Sequence, residues 1–178
     1  MSPQLVILVN EEDDAIGVMD KMEVHRKGLL HRAFSIFIFN HRGLLLLQKR
    51  SLVKYHSPGL WTNTCCSHPM PGEKLEEAAK RRLKEELGIT TSLRDIFSFT
   101  YKATMENGLV EHEFDHVFTG EFEGKINPDV NEVDDYKYVS ILEIKQQLIN
   151  YPEKFTKWFK IVFPKIEMWW KQNYKTEL

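Results

Sequence analysis

The sequence has almost nothing with which to cross-link itself: two cysteines, Cys65 and Cys66, which are neighbours in the chain. Adjacent cysteines build no ordinary disulfide framework, and a reducing compartment keeps both as thiols. An excess of charge is also lacking. With 24 Lys and Arg against 26 Asp and Glu, the formal net charge is −2, which offers no basic field to a nucleic-acid backbone. Any anionic substrate must therefore be held by local cations. No apolar run approaches the roughly 20 residues that a membrane-spanning helix needs. The run Leu5 to Val9 is too short for a signal-peptide core and is followed by Glu11, Glu12, Asp13 and Asp14. These absences predict a cytoplasmic protein with neither membrane nor nucleic acid as partner. Repeats, low-complexity tracts and a dinucleotide fingerprint are missing too, so no flavin is expected.

What is present fits one soluble globular domain over residues 1–178, with 42% hydrophobic and 28% charged residues. Strands are predicted at Leu5 to Val9 and Ala15 to Met19, on either side of an acidic turn. Asp20 to His31 carries Lys21, His25, Arg26, Lys27 and His31 and reads as a loop, because Gly28 interrupts it. Ala33 to Phe39 and Leu44 to Lys49 form a hairpin around Asn40-His41-Arg42-Gly43, and their continuous apolar character predicts that both faces are covered. A second loop, Arg50 to Gly59, holds Lys54, His56 and Pro58 and leads into Trp61 to Pro69. Glu73 to Leu87 is an amphipathic helix with Gly88 as its stop. Strands at Asp95 to Ala103 and Leu109 to Glu121 are joined by Met105-Glu106-Asn107-Gly108. After a loop rich in Gly, Asn, Pro and Asp come a strand near Tyr136 to Val139 and a capping-box spacing, Ser140 to Glu143, that starts another helix. Phe155, Trp158, Phe159, Val162 and Phe163 recur at helical spacing and read mostly as core.

Three constellations carry chemistry. In the extended stretch before Pro69, side chains alternate, so Cys66 and His68 face one way while Cys65 and Ser67 face the other. On the helix, Leu75, Ala79, Leu83 and Leu87 mark an apolar arc, yet at ~100° per residue Arg82 and Glu86 fall inside it. Either they pair with each other or they face a polar site, since buried charge needs compensation. Glu111, Glu113 and Asp115 share one strand face, which is either a solvated outer face or an acidic site. His25, His31 and His68 with Glu111 and Glu113 offer a mixed N and O set that suits six-coordinate Mn, Mg or Fe better than a closed tetrahedral zinc centre. His41, His56, His112 and His116 read as surface or packing residues. A cysteine hydrolase with Cys66 as nucleophile is disfavoured, because two residues on one strand point alike and do not aim the imidazole at the sulfur.

Ser67, Glu73, Arg81, Leu83, Glu85, Glu86, Gly88 and Ile89 resemble the Nudix signature, in which a loop and helix bring glutamates to a diphosphate-bound metal. Ser67 replaces its usual leading Gly, and Arg82 stands where a Glu follows the Arg. With Thr62-Asn63-Thr64-Cys65-Cys66-Ser67-His68-Pro69 in front and Glu111-His112-Glu113 in a later strand, the chain resembles type I isopentenyl-diphosphate isomerases from about Leu5 to the aromatic C-terminal region. The resemblance implies an α+β fold, a Nudix-like mixed β-sheet sandwich flanked by helices. It implies a metal-dependent isomerase acting on an allylic or homoallylic diphosphate, with no obligate protein partner. Cys66, Glu113, Tyr101 and Trp158 would be catalytic; Lys21, Arg50, Lys54 and Arg82 would hold the diphosphate. His25, His31, His68, Glu111 and Glu113 would ligate Mn2+, Mg2+ or Zn2+, while Glu86 would meet a second ion, Mg2+, that arrives with the substrate. A Nudix diphosphohydrolase is the alternative, which the Arg82 replacement weakens, and a non-catalytic metal-binding module comes third.

Overall fold

The computed structural model describes residues 4–105 and 107–174, so Glu106 of the predicted turn lies outside the described residues. The chain opens with an antiparallel hairpin of β1 (Leu5–Val9) and β2 (Ala15–Asp20). Its turn is organised by the Asn10 side-chain oxygen, which accepts from the Glu12 and Asp14 amides at 3.0 and 2.8 Å. Where a loop is predicted there is instead a short helix, α1 (Lys21–Lys27). Asp20 caps it by accepting from the Met22 and Glu23 amides, and Gly28, at φ 63°, terminates it in the left-handed conformation. The glycine read as a breaker is thus a C-cap. The helix puts Lys21 and His25, four residues apart, on one face.

The hairpin of β3 (His31–Phe39) and β4 (Leu45–Arg50) exists, but the two strands pair only at Phe39 and Leu45. Beyond that point they part. β3 runs parallel to β8 (Val110–Glu121) along its length and antiparallel to β6 (Cys65–Ser67), while β7 (Arg94–Thr104) extends the layer beyond β8. β4 pairs instead with β9 (Val133–Val139) and β5 (Trp61–Thr62). The hairpin base joins two layers, which is why its apolar residues alternate into different cores and are all buried.

One core lies under α2 (Leu75–Leu87), where Ala79, Leu83 and Leu87 meet Phe34, Ile36, Ile38, Leu46 and Cys65. The other gathers Phe37, Phe39, Leu45 and Leu47 against Trp158, Phe159, Val162 and Phe163 of α4 (Lys157–Asn173). Each fully buried large apolar side chain contributes about 1.5–3 kcal/mol of transfer free energy. Phe155 precedes α4 and bridges to Trp61 rather than lying on the helix. α3 (Ile141–Asn150) starts as predicted, with Ser140 Oγ accepting from the Glu143 amide at 3.1 Å. α2 begins two residues later than its periodicity predicts; Glu73 stays in the preceding turn, where its carboxylate receives Arg81 at 2.7 and 2.9 Å and the Met70 amide at 2.9 Å.

Candidate active site

The register of β3 assembles the site. Antiparallel pairing sets Ser35 opposite Cys66, parallel pairing sets His31 opposite Glu113, and β7 places Tyr101 opposite Glu113 in turn. Together with α1, which supplies Lys21 and His25, these strands enclose a cavity of about 200 Å3. Cys66, Glu113, Tyr101, Trp158, Lys21, Arg50, Lys54, Arg82, His25, His68, Glu86 and Glu111 line it. His31 is fully buried behind that wall, with its Nε2 turned towards the others. Every site residue named from the sequence is therefore gathered in one place.

At one end, the donor atoms of His25, His31, His68 and Glu113 lie within 4.8 Å of one another. The Nε2 atoms of His25 and His31 are 3.3 Å apart, those of His31 and His68 3.2 Å, and His68 Nε2 is 3.1 Å from Glu113 Oε1. His31 Nδ1 lies 2.9 Å from the Leu29 carbonyl, a contact that requires the proton on Nδ1 and so leaves the Nε2 lone pair pointing inward. Burial, reinforced by the neighbouring imidazoles, lowers His25 to about 3. Burial likewise lowers His68 to about 4, against the opposing pull of Glu113. Three imidazole Nε2 atoms and one carboxylate oxygen thus converge on a common point, a mixed N and O set held in place by burial. The donor set fits a divalent metal ion.

Glu111 stands outside that group of four. The Tyr101 hydroxyl ties it in, lying 2.7 Å from Glu113 Oε2 and 3.1 Å from Glu111 Oε2. Burial first, and the Glu113 carboxylate second, push the Glu111 carboxyl up to about 8, opposed by the Tyr101 hydrogen bond and by Arg50 and Lys21. Asp115, fully enclosed one repeat further on, accepts from Ser35 Oγ at 2.8 Å, and burial raises its carboxyl. All three acids are buried, which excludes the solvated-face alternative.

The other end is cationic. Arg82 Nη2 is 2.7 Å from Glu86 Oε1, so the two charges on the apolar arc both pair with each other and face the polar cavity. Gln48 donates to Glu86 Oε2 at 2.9 Å and to the Thr64 carbonyl at 2.8 Å, fixing that carboxylate. The Arg50 guanidinium lies 5.1 Å from the Trp158 ring centre and donates to the His56 carbonyl at 3.1 Å. Between the two ends lies Lys21, whose amine burial lowers despite Glu113 and Glu111 nearby. Trp158 is held from behind by its indole N–H, 3.3 Å from Asn63 Oδ1. Cys66 faces this cavity and burial pushes its thiol up, so it keeps its proton; Cys65 points into the core beneath α2.

Several wall residues escape the sequence analysis, Gln4 and Ser35 among them. His56, read as surface or packing, is buried, with its ring edge-on to Trp158 at 5.8 Å and its Nε2 3.6 Å from Glu111 Oε1. Tyr55, Gln48 and Glu132 also line the cavity, and no motif marks them. The other three histidines behave as read: His41 pairs with Glu123 at the surface, His112 contacts the Gly28 carbonyl at 3.1 Å, and His116 meets Asp13 at 2.8 Å.

The NUDIX domain family matches residues 29–159. An isopentenyl-diphosphate Delta-isomerase of Pectobacterium atrosepticum is 51% identical over 174 residues, covering 97% of this chain and 96% of that protein. The chain belongs to the isopentenyl-diphosphate Delta-isomerase family of NUDIX-domain proteins. A second member, isopentenyl-diphosphate Delta-isomerase 2 of Photorhabdus laumondii, is 47% identical and spans 93% of this chain and 97% of its own. Among solved structures, DR0079 of Deinococcus radiodurans superposes with a TM-score of 0.76 at 19% identity, over 90% of this chain and 98% of that one. A MutT protein of Methanosarcina mazei superposes at 0.65 with 24% identity, over 82% and 96% of the two chains. At such identities these structures establish the Nudix fold alone, and the α+β architecture of the isomerase family member agrees with them.

Proposed function

We propose that the protein interconverts isopentenyl diphosphate and dimethylallyl diphosphate. The observation that carries this function is a single cavity that brings together the Cys66 thiol and the hydrogen-bonded Tyr101–Glu113 pair, with Arg50, Lys54 and Arg82 beside them. Moving an unactivated double bond by one carbon adds a proton to the terminal carbon and removes one from the far side, without redox change or loss of any other atom. Two proton-bearing groups are needed, and they must be different groups.

Lys21, Arg50, Lys54 and Arg82 hold the diphosphate, and Glu86 meets the Mg2+ that accompanies it. His25, His31, His68, Glu111 and Glu113 hold a divalent ion, Mn2+, Mg2+ or Zn2+. When bound, that ion supplies positive charge that makes the Tyr101 phenol a stronger acid and keeps Glu113 ionised. The Glu113–Tyr101 side exchanges one proton with the substrate and Cys66 exchanges the other; their roles swap with the direction of the reversible reaction. Between the steps lies a tertiary carbocation. Trp158, pinned by Asn63 and backed by His56, presents a π face that stabilises such a cation by about 2 kcal/mol when desolvated. Water that reached the cation would capture it, so the reaction requires solvent to be kept from the reacting carbons while substrate is bound.

Diphosphate hydrolysis is the weaker reading, because a guanidinium, Arg82, points into the cavity where a hydrolase signature calls for a glutamate. Incubation with isopentenyl diphosphate and Mg2+ separates the two: dimethylallyl diphosphate is the expected product, and inorganic phosphate in its place would overturn the proposal. We place the protein in the cytoplasm, supported by its two free thiols; no helix among the described residues is long and apolar enough to cross a membrane.

A further inference from the structure

Glu132 is the one carboxylate of the cavity with no part in the chemistry above, and it sits at the anion-binding end. It ends the loop before β9, where its own carbonyl accepts from the Ser51 amide at 3.0 Å, so its backbone is fixed against the segment that carries Lys54. Its Oε2 pairs with Lys54, and its Oε1 lies 3.2 Å from Arg82 Nη2. Among the described residues Lys54 has no other acidic partner. The Glu132 side chain is only 22% exposed, so this pairing is partly shielded from water. We propose that Glu132 is a built-in competitor for the diphosphate: its carboxylate occupies Lys54 and Arg82 in the free protein and must be displaced before they grip the substrate.

Two physical effects follow from that placement. In the free protein the acid keeps two neighbouring cations from repelling one another and holds them extended into the cavity, so they are in position when an anion arrives. For the bound state it is a penalty, because a diphosphate must break both ion pairs and then lie beside a negative charge. The penalty falls equally on substrate and product, since both carry the same diphosphate. Such uniform loosening lowers affinity without touching the proton transfers and speeds product release. A polyanion of high charge overcomes a single carboxylate more readily than a monoanion, so the arrangement also discriminates in favour of diphosphates.

The inference rests on Lys54 and Arg82 being diphosphate ligands, and the test separates the two ideas. Inorganic pyrophosphate is titrated calorimetrically into the wild type, Glu132→Gln, Glu85→Gln and Lys54→Met in chelator-treated buffer. Glu85 is the control acid, because it contacts the same Arg82, at 2.7 Å, but from outside the cavity and with 45% of its side chain exposed. Glu132→Gln, which keeps the shape and removes the charge, is expected to bind pyrophosphate about tenfold tighter. Glu85→Gln should bind as the wild type does, and Lys54→Met should bind more weakly. In turnover, Glu132→Gln should lower KM for isopentenyl diphosphate by a similar factor and lower kcat. Unchanged or weaker pyrophosphate binding by Glu132→Gln, while Lys54→Met is impaired, would overturn the competitor role and leave the cation site standing. Equal tightening in Glu85→Gln would reduce the effect to general charge and overturn it too. Unimpaired binding by Lys54→Met would overturn the cation site itself and the inference with it.

Discussion

Two thiols side by side in the chain have opposite fates. Cys66 lines the cavity with its proton retained, whereas Cys65 is fully buried beneath α2 near Glu86. A serine hydroxyl is a much weaker acid than a thiol, whose unperturbed pKa is about 8.5. Cys66→Ser should therefore lower turnover by orders of magnitude, while Cys65→Ser keeps most of it, and thermal unfolding should show similar, modest losses for both. The two assays together would sink the assignment if Cys65 proved the essential thiol. The same scale separates the metal residues: His31, whose protonated Nδ1 bonds Leu29, is locked as a donor, while Glu111 stands outside the close group. Metal analysis of purified variants should find His31→Ala and His68→Ala depleted together with activity, and Glu111→Ala depleted less severely. In the sequence, strand alternation groups Cys66 with His68, and the acids of β8 on one face, but that this acidic face belongs to a site rather than to solvent comes only from the family resemblance. His56, Gln48 and Glu132 are not legible there, because they reach the cavity from two loops and from β4, and no local spacing encodes that meeting.

At the scale of elements, α1 is the feature the sequence hides. Seven residues give too few turns for a period to show, and its C-cap glycine is indistinguishable from a breaker until the helix is seen. α2 was readable from its apolar spacing, but its start was not, because Glu73 belongs to a turn tied back to Arg81. The hydrogen bond from Arg81 holds the Glu73 carboxyl below its ordinary value, against burial. With the folded pKa below the unfolded one of about 4.3, the pair stabilises at neutral pH, and that contribution is lost as pH falls through the folded pKa. Chemical denaturation should thus find Glu73→Gln less stable than the wild type by about 1 kcal/mol or less at pH 7, with the gap closing in acid. A gap that did not narrow as the pH was lowered would assign the effect to shape rather than charge.

For the whole molecule, the two cores and the splayed β3–β4 hairpin set the site at the junction of two layers, where each layer supplies part of the wall. The α+β class and the sandwich were expected from the family resemblance; the pairing of β3 with β8 rather than with β4 could not be, since parallel partners distant in sequence leave no local mark. A divalent ion bound only by the folded arrangement of His25, His31, His68 and Glu113 must stabilise that fold by mass action, about 2.7 kcal/mol at a hundredfold excess over Kd. Adding Mn2+ to chelator-treated protein should raise the unfolding temperature, and His31→Ala should abolish the rise; a rise that survives in the variant would move the ion elsewhere.

The central claim is that one cavity adds a proton on one side of a five-carbon diphosphate and removes one on the other without breaking a phosphate bond. Proton NMR of isopentenyl diphosphate with the enzyme and Mg2+ in D2O tests it directly. Dimethylallyl diphosphate carrying deuterium in a methyl group, with no released phosphate and with the signal lost in Cys66→Ser, is the predicted result; phosphate release, or product formed at the wild-type rate by Cys66→Ser, would contradict it.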